Sequence, residues 1–217
     1  MKLPLENGRR YSGEIKIKRF CHKFGIDMDF SLVFSGVVSA VGEDHFLLHS
    51  VNPSQMIKIF KDHSSFFLFI NKNTTAYNLQ AVVKEVSEGK VFFQVEEHSV
   101  SKEKRRFHRF YFCCRDLGDF IIQKEGKTVC DNVCIFELSR SGLGVINPCV
   151  GLLKVGDTVI IKNEEQKFEV ELEIHRINTK KGYEFIGGKI KKANLNLINY
   201  IIRKYIKVSE EIISSTG

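Results

Sequence analysis

The chain has 217 residues, room for one large domain or two of about 100 each. Hydrophobic residues make up 43% and charged residues 27%, the balance of a soluble globular protein able to bury a core. The formal charge of +7 and pI near 9.0 favour an anionic partner, without choosing among nucleic acid, an acidic protein surface, anionic lipid and a phosphate-bearing small molecule.

The start, "MKLPLENGRR", lacks the apolar core of a signal peptide. No run approaches the ~18 apolar residues of a membrane span, so no membrane insertion is expected. The six cysteines (Cys21, Cys113, Cys114, Cys130, Cys134 and Cys149) contain no CxxC, and Cys130/Cys134 has no second pair to complete a zinc site. They read as reduced thiols acting as small core hydrophobes in a cytoplasmic protein, with no metal.

In chain order, "FSLVFSGVVSAVG" (Phe30 to Gly42), "HFLLHSV", "MIKIF", "SFFLFI", "YNLQAVVKEV" and "KVFFQVEE" are short and rich in β-branched and aromatic residues, which predicts strands. Asn52-Pro53, Asn71 to Asn73 and Glu88-Gly89 punctuate them as turns. The polar stretch "EEHSVSKEKRR" reads as a linker. Beyond it "FYFCC", "DFIIQ", "TVCDNVCIFEL", "LGVI", "TVIIK", "FEVELEIHRI" and "YEFIGGKI" repeat the strand texture, with "NEEQ" (Asn163 to Gln166) a hairpin tip.

Near the end Leu195, Ile198, Ile201, Ile202 and Tyr205 follow helical spacing, with Asn194 as a candidate N-cap and Asn196, Arg203 and Lys207 on the polar face. Such a helix caps an open barrel end. The expected fold is mainly β: two antiparallel barrel-like domains in tandem, residues 1–100 and 101–217, the second closed by a C-terminal helix.

At the junction, "KEKRRFHRF" (Lys102 to Phe110) packs five Lys or Arg and one His into nine positions. A guanidinium is planar and always charged, and it can clamp phosphate oxygens or the O6/N7 edge of guanine with two parallel hydrogen bonds. Arg105 and Arg109 are four apart with Arg106 between them, so in an extended linker they can reach opposite sides of a compact anion. A solvated linker has the same composition. Further on, "IFELSRSGLGVIN" ends a strand and enters a turn with Glu137, Ser139 and Gly142. A carboxylate there can accept from the N1–H and N2–H₂ donors of guanine. Ser139 can give or accept a hydrogen bond, and Gly142 would permit φ > 0 where the chain reverses. An ordinary Ser/Gly hairpin turn has the same residues. Gly142-x-Gly144 is no dinucleotide fingerprint, since Asn147 stands where a third glycine is needed.

Taken together, "RRFHR" and "ELSRSG" resemble the two motifs of the PilZ domain family, RxxxR followed by [D/N]xSxxG. The resemblance covers about residues 101 to 217, through "LLKVGDTVIIK", "ELEIHRIN", "YEFIGGKI" and the terminal helix. The first half looks like the extra N-terminal β-domain of two-domain, YcgR-type members. The resemblance implies a receptor for the second messenger cyclic di-GMP, with no cofactor and no chemical step. Arg105 and Arg109, with adjoining Arg106, would take phosphates and guanine edges, while Glu137, Ser139 and Gly142 would form the barrel side. It also implies that the linker wraps the ligand, changes how the domains face each other, and signals to a protein partner such as flagellar or secretion machinery. Glu137 stands where the family has Asp or Asn, so the acceptor is kept on a side chain one methylene longer.

Two other readings share these residues: a PilZ-like interaction module without nucleotide, and a basic nucleic-acid binder using the aromatics of "RRFHRFYF". No HExxH, GxSxG or P-loop suggests an enzyme.

Overall fold

The computed structural model of the chain describes residues 3–60, 65–70, 75–102 and 109–215, with backbone alone at 65–70, 75–76 and 101–102. Its contacts form two units, one of Met1–Ile17, Ser31–Arg105 and Ser209–Gly217, the other of Lys18–Phe30 and Arg106–Val208. Both are built mainly of β-strands.

The strands β1 (Arg10–Cys21), β2 (Ile26–Val41), β3 (His45–Asn52), β4 (Ser65–Ile70), β5 (Thr75–Ser87) and β6 (Lys90–Lys102) form a closed barrel in the order β1-β2-β3-β6-β5-β4, and all of it falls in the first unit except the Lys18–Cys21 end of β1 and the Ile26–Phe30 start of β2. Burial alternates along much of β1, β2 and β3, and the largest buried side chains are aromatic. Phe34 meets Phe60 edge-on at 4.8 Å, Phe60 meets Phe93 at 5.5 Å, and Phe93 stacks on Phe46 at 5.2 Å. All four are essentially inaccessible to solvent, which accounts for part of the high phenylalanine content. Glu88 and Gly89 both have positive φ, as a two-residue type I′ hairpin requires.

Two expectations change here. "MIKIF" is no strand: Ser54–Lys58 form a 3₁₀ turn, because Met56, Ile59 and Phe60 are buried at helical, not alternating, spacing. The expected linker is strand as far as Lys102, with Thr75 opposite Lys102. That end of the β5–β6 ribbon is exposed through 96–100, and backbone pairing alone does not demand apolar alternation.

The second unit contains β7 (Phe110–Tyr111), α1 (Cys114–Leu117), β8 (Phe120–Lys124), β9 (Lys127–Leu138), β10 (Gly142–Asn147), β11 (Thr158–Asn163), β12 (Phe168–Lys180) and β13 (Tyr183–Ala193), followed by helix α2 (Leu197–Ser215). The sheet order is β10-β13-β12-β11-β8-β9-β7, and a further β10–β9 pairing brings it round on itself. Phe120, Ile122, Ile135, Val145, Ile161, Phe168, Val170, Leu172 and Ile174 fill its interior.

The "FYFCC" strand stops at Tyr111, because the Asp116 carboxylate accepts the Cys113 backbone N–H at 2.7 Å and starts α1. That carboxylate also receives both ends of the Arg19 guanidinium, at 2.6 and 2.8 Å, in a buried fork. Around it Cys21, Phe24 and Ile26 pack with Cys113, Cys114, Cys134 and Ile146 as a small second core.

Helix α2 buries Leu197, Ile201 and Val208 and exposes Ile198, Ile202 and Ile206, so the expected apolar face is rotated. Its start is also shifted. Asn196, not Asn194, accepts the Asn199 N–H at 3.1 Å, while Asn194 is tied to Lys167 and Glu169. Four cysteines are not reduced thiols: Cys114 pairs with Cys134 and Cys130 with Cys149. The barrel brings together residues 20 and 19 apart, a pairing that spacing alone does not reveal. Cys21 and Cys113 stay free and buried, and burial pushes the Cys113 thiol up.

Candidate functional site

Of the six residues singled out from the sequence, Arg105 and Arg106 lie outside the described residues. The other four sit around the β9–β10 turn. Arg109 immediately precedes β7, whose Tyr111 lies opposite Glu137 on β9. Its guanidinium Nη1 stands 2.7 Å from Glu137 Oε1, and the Glu137 side chain is only 11% exposed. One member of each motif therefore meets the other directly.

Ser139 shapes the turn. Its Oγ accepts the Gly142 N–H at 3.0 Å and donates to the Gly142 carbonyl at 3.2 Å, and the Ser139 N–H donates to the same carbonyl at 2.9 Å. Gly142 begins β10 and is not among the residues of positive φ, contrary to the role expected of it. The Ser139 hydroxyl closes the reversal in its place. One acceptor lone pair of Ser139 is left over from these bonds.

The other side of Glu137 is held by a residue outside both motifs. Glu137 pairs across the sheet with Gly144, Gly144 with Gly187, and Gly187 with Arg176 on β12. Three strand spacings separate the ends of this row, about 14 Å of backbone. Arg176 Nη2 nevertheless lies 3.6 Å from Glu137 Oε2. It reaches because the two intervening residues have no side chains. A Cβ at Gly187 would stand 2.4 Å from Arg176 Nε, and one at Gly144 would stand 2.9 Å from the Phe136 ring and 3.0 Å from Glu137 Cβ. Glycine within a strand marks such close approaches, and "GLG" and "GG" were the available signals. Next to them Gly188 faces the Glu173 carbonyl, where a Cβ would stand 2.4 Å away.

The result is a bare strip of backbone with a carboxylate at one end, held from both sides by guanidiniums. The two cations outnumber the one anion, so the cluster is net positive. Beside Arg176 the surface dips into a cleft of about 320 Å³ lined by Asn178 and Lys180 of β12, Phe136, Phe185 and Asp27. Among the described residues, no group of three or more His, Cys, Asp or Glu is placed to hold a metal ion. No helix among them is long and apolar enough to cross a membrane.

No family model and no curated protein matches the sequence. Among solved structures, the chain is similar to the Bacillus subtilis inhibitor of motility (MotI/DgrA), with 14% identity over 94% of this chain and 99% of that one, at a TM-score of 0.39. It is similar to Escherichia coli YcgR in complex with c-di-GMP, with 12% identity over 94% and 86% and a TM-score of 0.39. It is also similar to Borreliella burgdorferi PlzA in complex with c-di-GMP, with 12% identity over 90% and 87% and a TM-score of 0.35.

Proposed function

We propose that the chain is a cyclic di-GMP receptor of PilZ type that carries out no chemical step and signals to a protein partner, such as flagellar or secretion machinery, by a change in domain arrangement. The observation that carries this reading is the 2.7 Å pair between Arg109 and Glu137, two residues taken from separate motifs almost thirty positions apart. Cyclic di-GMP is a dianion with two guanines. Arginines answer its phosphodiesters and the O6/N7 edges, and a carboxylate answers N1–H and N2–H₂. Glu137 held between two cations can face a dianion without net repulsion.

The nucleic-acid reading loses support from the same region. Phe112 is 1% exposed and so is not offered to unstacked bases, and half-buried Phe110 already packs edge-on against Tyr205 at 5.3 Å.

Calorimetric titration of the full chain with cyclic di-GMP, and with GMP as comparison, tests the proposal. Binding of the cyclic dinucleotide and far weaker binding of GMP is the expected result. A flat titration at high micromolar ligand overturns it in favour of an interaction module without nucleotide.

A further inference from the structure

We propose that Arg176 is a specificity-determining residue of this site, and that the cleft beside it takes one guanylate half of the ligand. The inference rests on the cyclic di-GMP reading above. Arg176 belongs to neither sequence motif, yet it is the second cation on Glu137, reached across the glycine strip. Its contact is 3.6 Å, against 2.7 Å for Arg109, and its side chain is 54% exposed. It is the looser of the two and the better placed to turn from carboxylate to phosphate.

Arg176, Asn178 and Lys180 follow one another at every second position of β12, so their side chains share one face of the strand. Opposite them on β13, Gly187 and Phe185 pair with Arg176 and Asn178. Phe185 meets Phe136 edge-on at 5.8 Å, which gives the cleft an aromatic wall, and Asp27 supplies a carboxylate at its border.

Each of these groups answers a part of a guanylate. Arg176 and Lys180 suit the phosphate oxygens and the O6/N7 edge, Asp27 suits the N1–H and N2–H₂ donors, and the phenylalanines suit the base face. At about 320 Å³ the cleft stands at the low end of small-molecule sites, which run from about 300 to 1,000 Å³. It holds one half of a cyclic dinucleotide. The other half is left to Arg109, Glu137 and the Ser139 turn, and Arg176 bridges the two.

The test is titration of wild type, Arg176→Ala, Lys180→Ala and a charge control, Lys192→Ala, with cyclic di-GMP and with GMP. Melting curves identify any variant that fails to fold. Arg176→Ala is expected to weaken cyclic di-GMP at least tenfold and to lower the preference for it over GMP. Lys180→Ala is expected to weaken it about fivefold, and Lys192→Ala is expected to stay within twofold of wild type. If Arg176→Ala fails to fold, Asn178→Ala and Lys180→Ala carry the test. Wild-type binding with both cleft variants within twofold of it overturns the inference and leaves the receptor reading standing. Weaker binding with an unchanged preference over GMP also overturns it, since Arg176 would then act by position alone. No binding by wild type removes both readings together.

Discussion

At Glu137 one carboxylate holds two arginines, and substitutions there separate its roles. Glu137→Gln keeps the size and removes the charge, so both guanidiniums lose their anchor and guanine loses a charged acceptor. Cyclic di-GMP affinity is expected to fall, as read by calorimetry, while Glu137→Asp holds or improves it if the extra methylene fits poorly. Arg109→Ala removes a charge-assisted contact worth roughly 1.5–3 kcal/mol, about tenfold or more in affinity. The ligand-free melting temperature should change little, because Arg109 is one-third exposed and Arg176 remains as a counter-charge on Glu137. Arg109 and Glu137 were legible in the sequence because each sits in a short motif whose chemistry is local. Arg176 was not, since nothing local distinguishes an arginine in "EIHRIN" from any other on an exposed strand. Only the strand register aligns it with Gly187, Gly144 and Glu137.

Among the elements, the Arg19–Asp116 fork holds β1 against the start of α1. Asp116→Ala leaves a buried guanidinium without its counter-charge, and a loss of about 3–5 kcal/mol is expected in urea unfolding. The Arg19→Met, Asp116→Leu double variant is expected to lose much less, because it leaves no buried charge behind. The disulfides constrain stretches 20 and 19 residues apart, which corresponds to about 3 kcal/mol each in the loop-entropy picture. Reductant should therefore lower the melting temperature measurably, whereas an unchanged melt would mean that the bonds contribute nothing in solution. A strand with strong alternation, such as "FEVELEIHRI", and a short β-branched run, such as "TVIIK", were readable from pattern and composition alone. Short segments were not: "MIKIF" and "FYFCC" have strand composition, but a three-residue period and an Asp116 cap decide otherwise.

For the whole molecule, two β-rich units were visible in the texture of the sequence. The membership of Lys18–Phe30 in the second unit was not, because it depends on contacts nearly a hundred residues distant, such as Arg19 with Asp116. We expect ligand to change the small-angle scattering profile, since the arginines proposed to grip it lie at the junction of the two halves of the sequence. Identical profiles with and without saturating cyclic di-GMP would confine its effect to the local surface. With a charge of +7 facing a dianion, affinity should also fall as salt rises.

The double pairing at Glu137 also has a consequence for the heat of binding. A free arginine side chain carries about 2 kcal/mol of rotamer entropy, which is lost when a ligand fixes it. Arg109 and Arg176 are already partly fixed before any ligand arrives, and the glycine strip between Glu137 and Arg176 has no rotamers to lose. Ligand capture on this strip is therefore expected to be favoured by enthalpy with little opposing entropy from the protein, and Glu137→Gln should bind with a visibly larger entropic penalty at the same temperature.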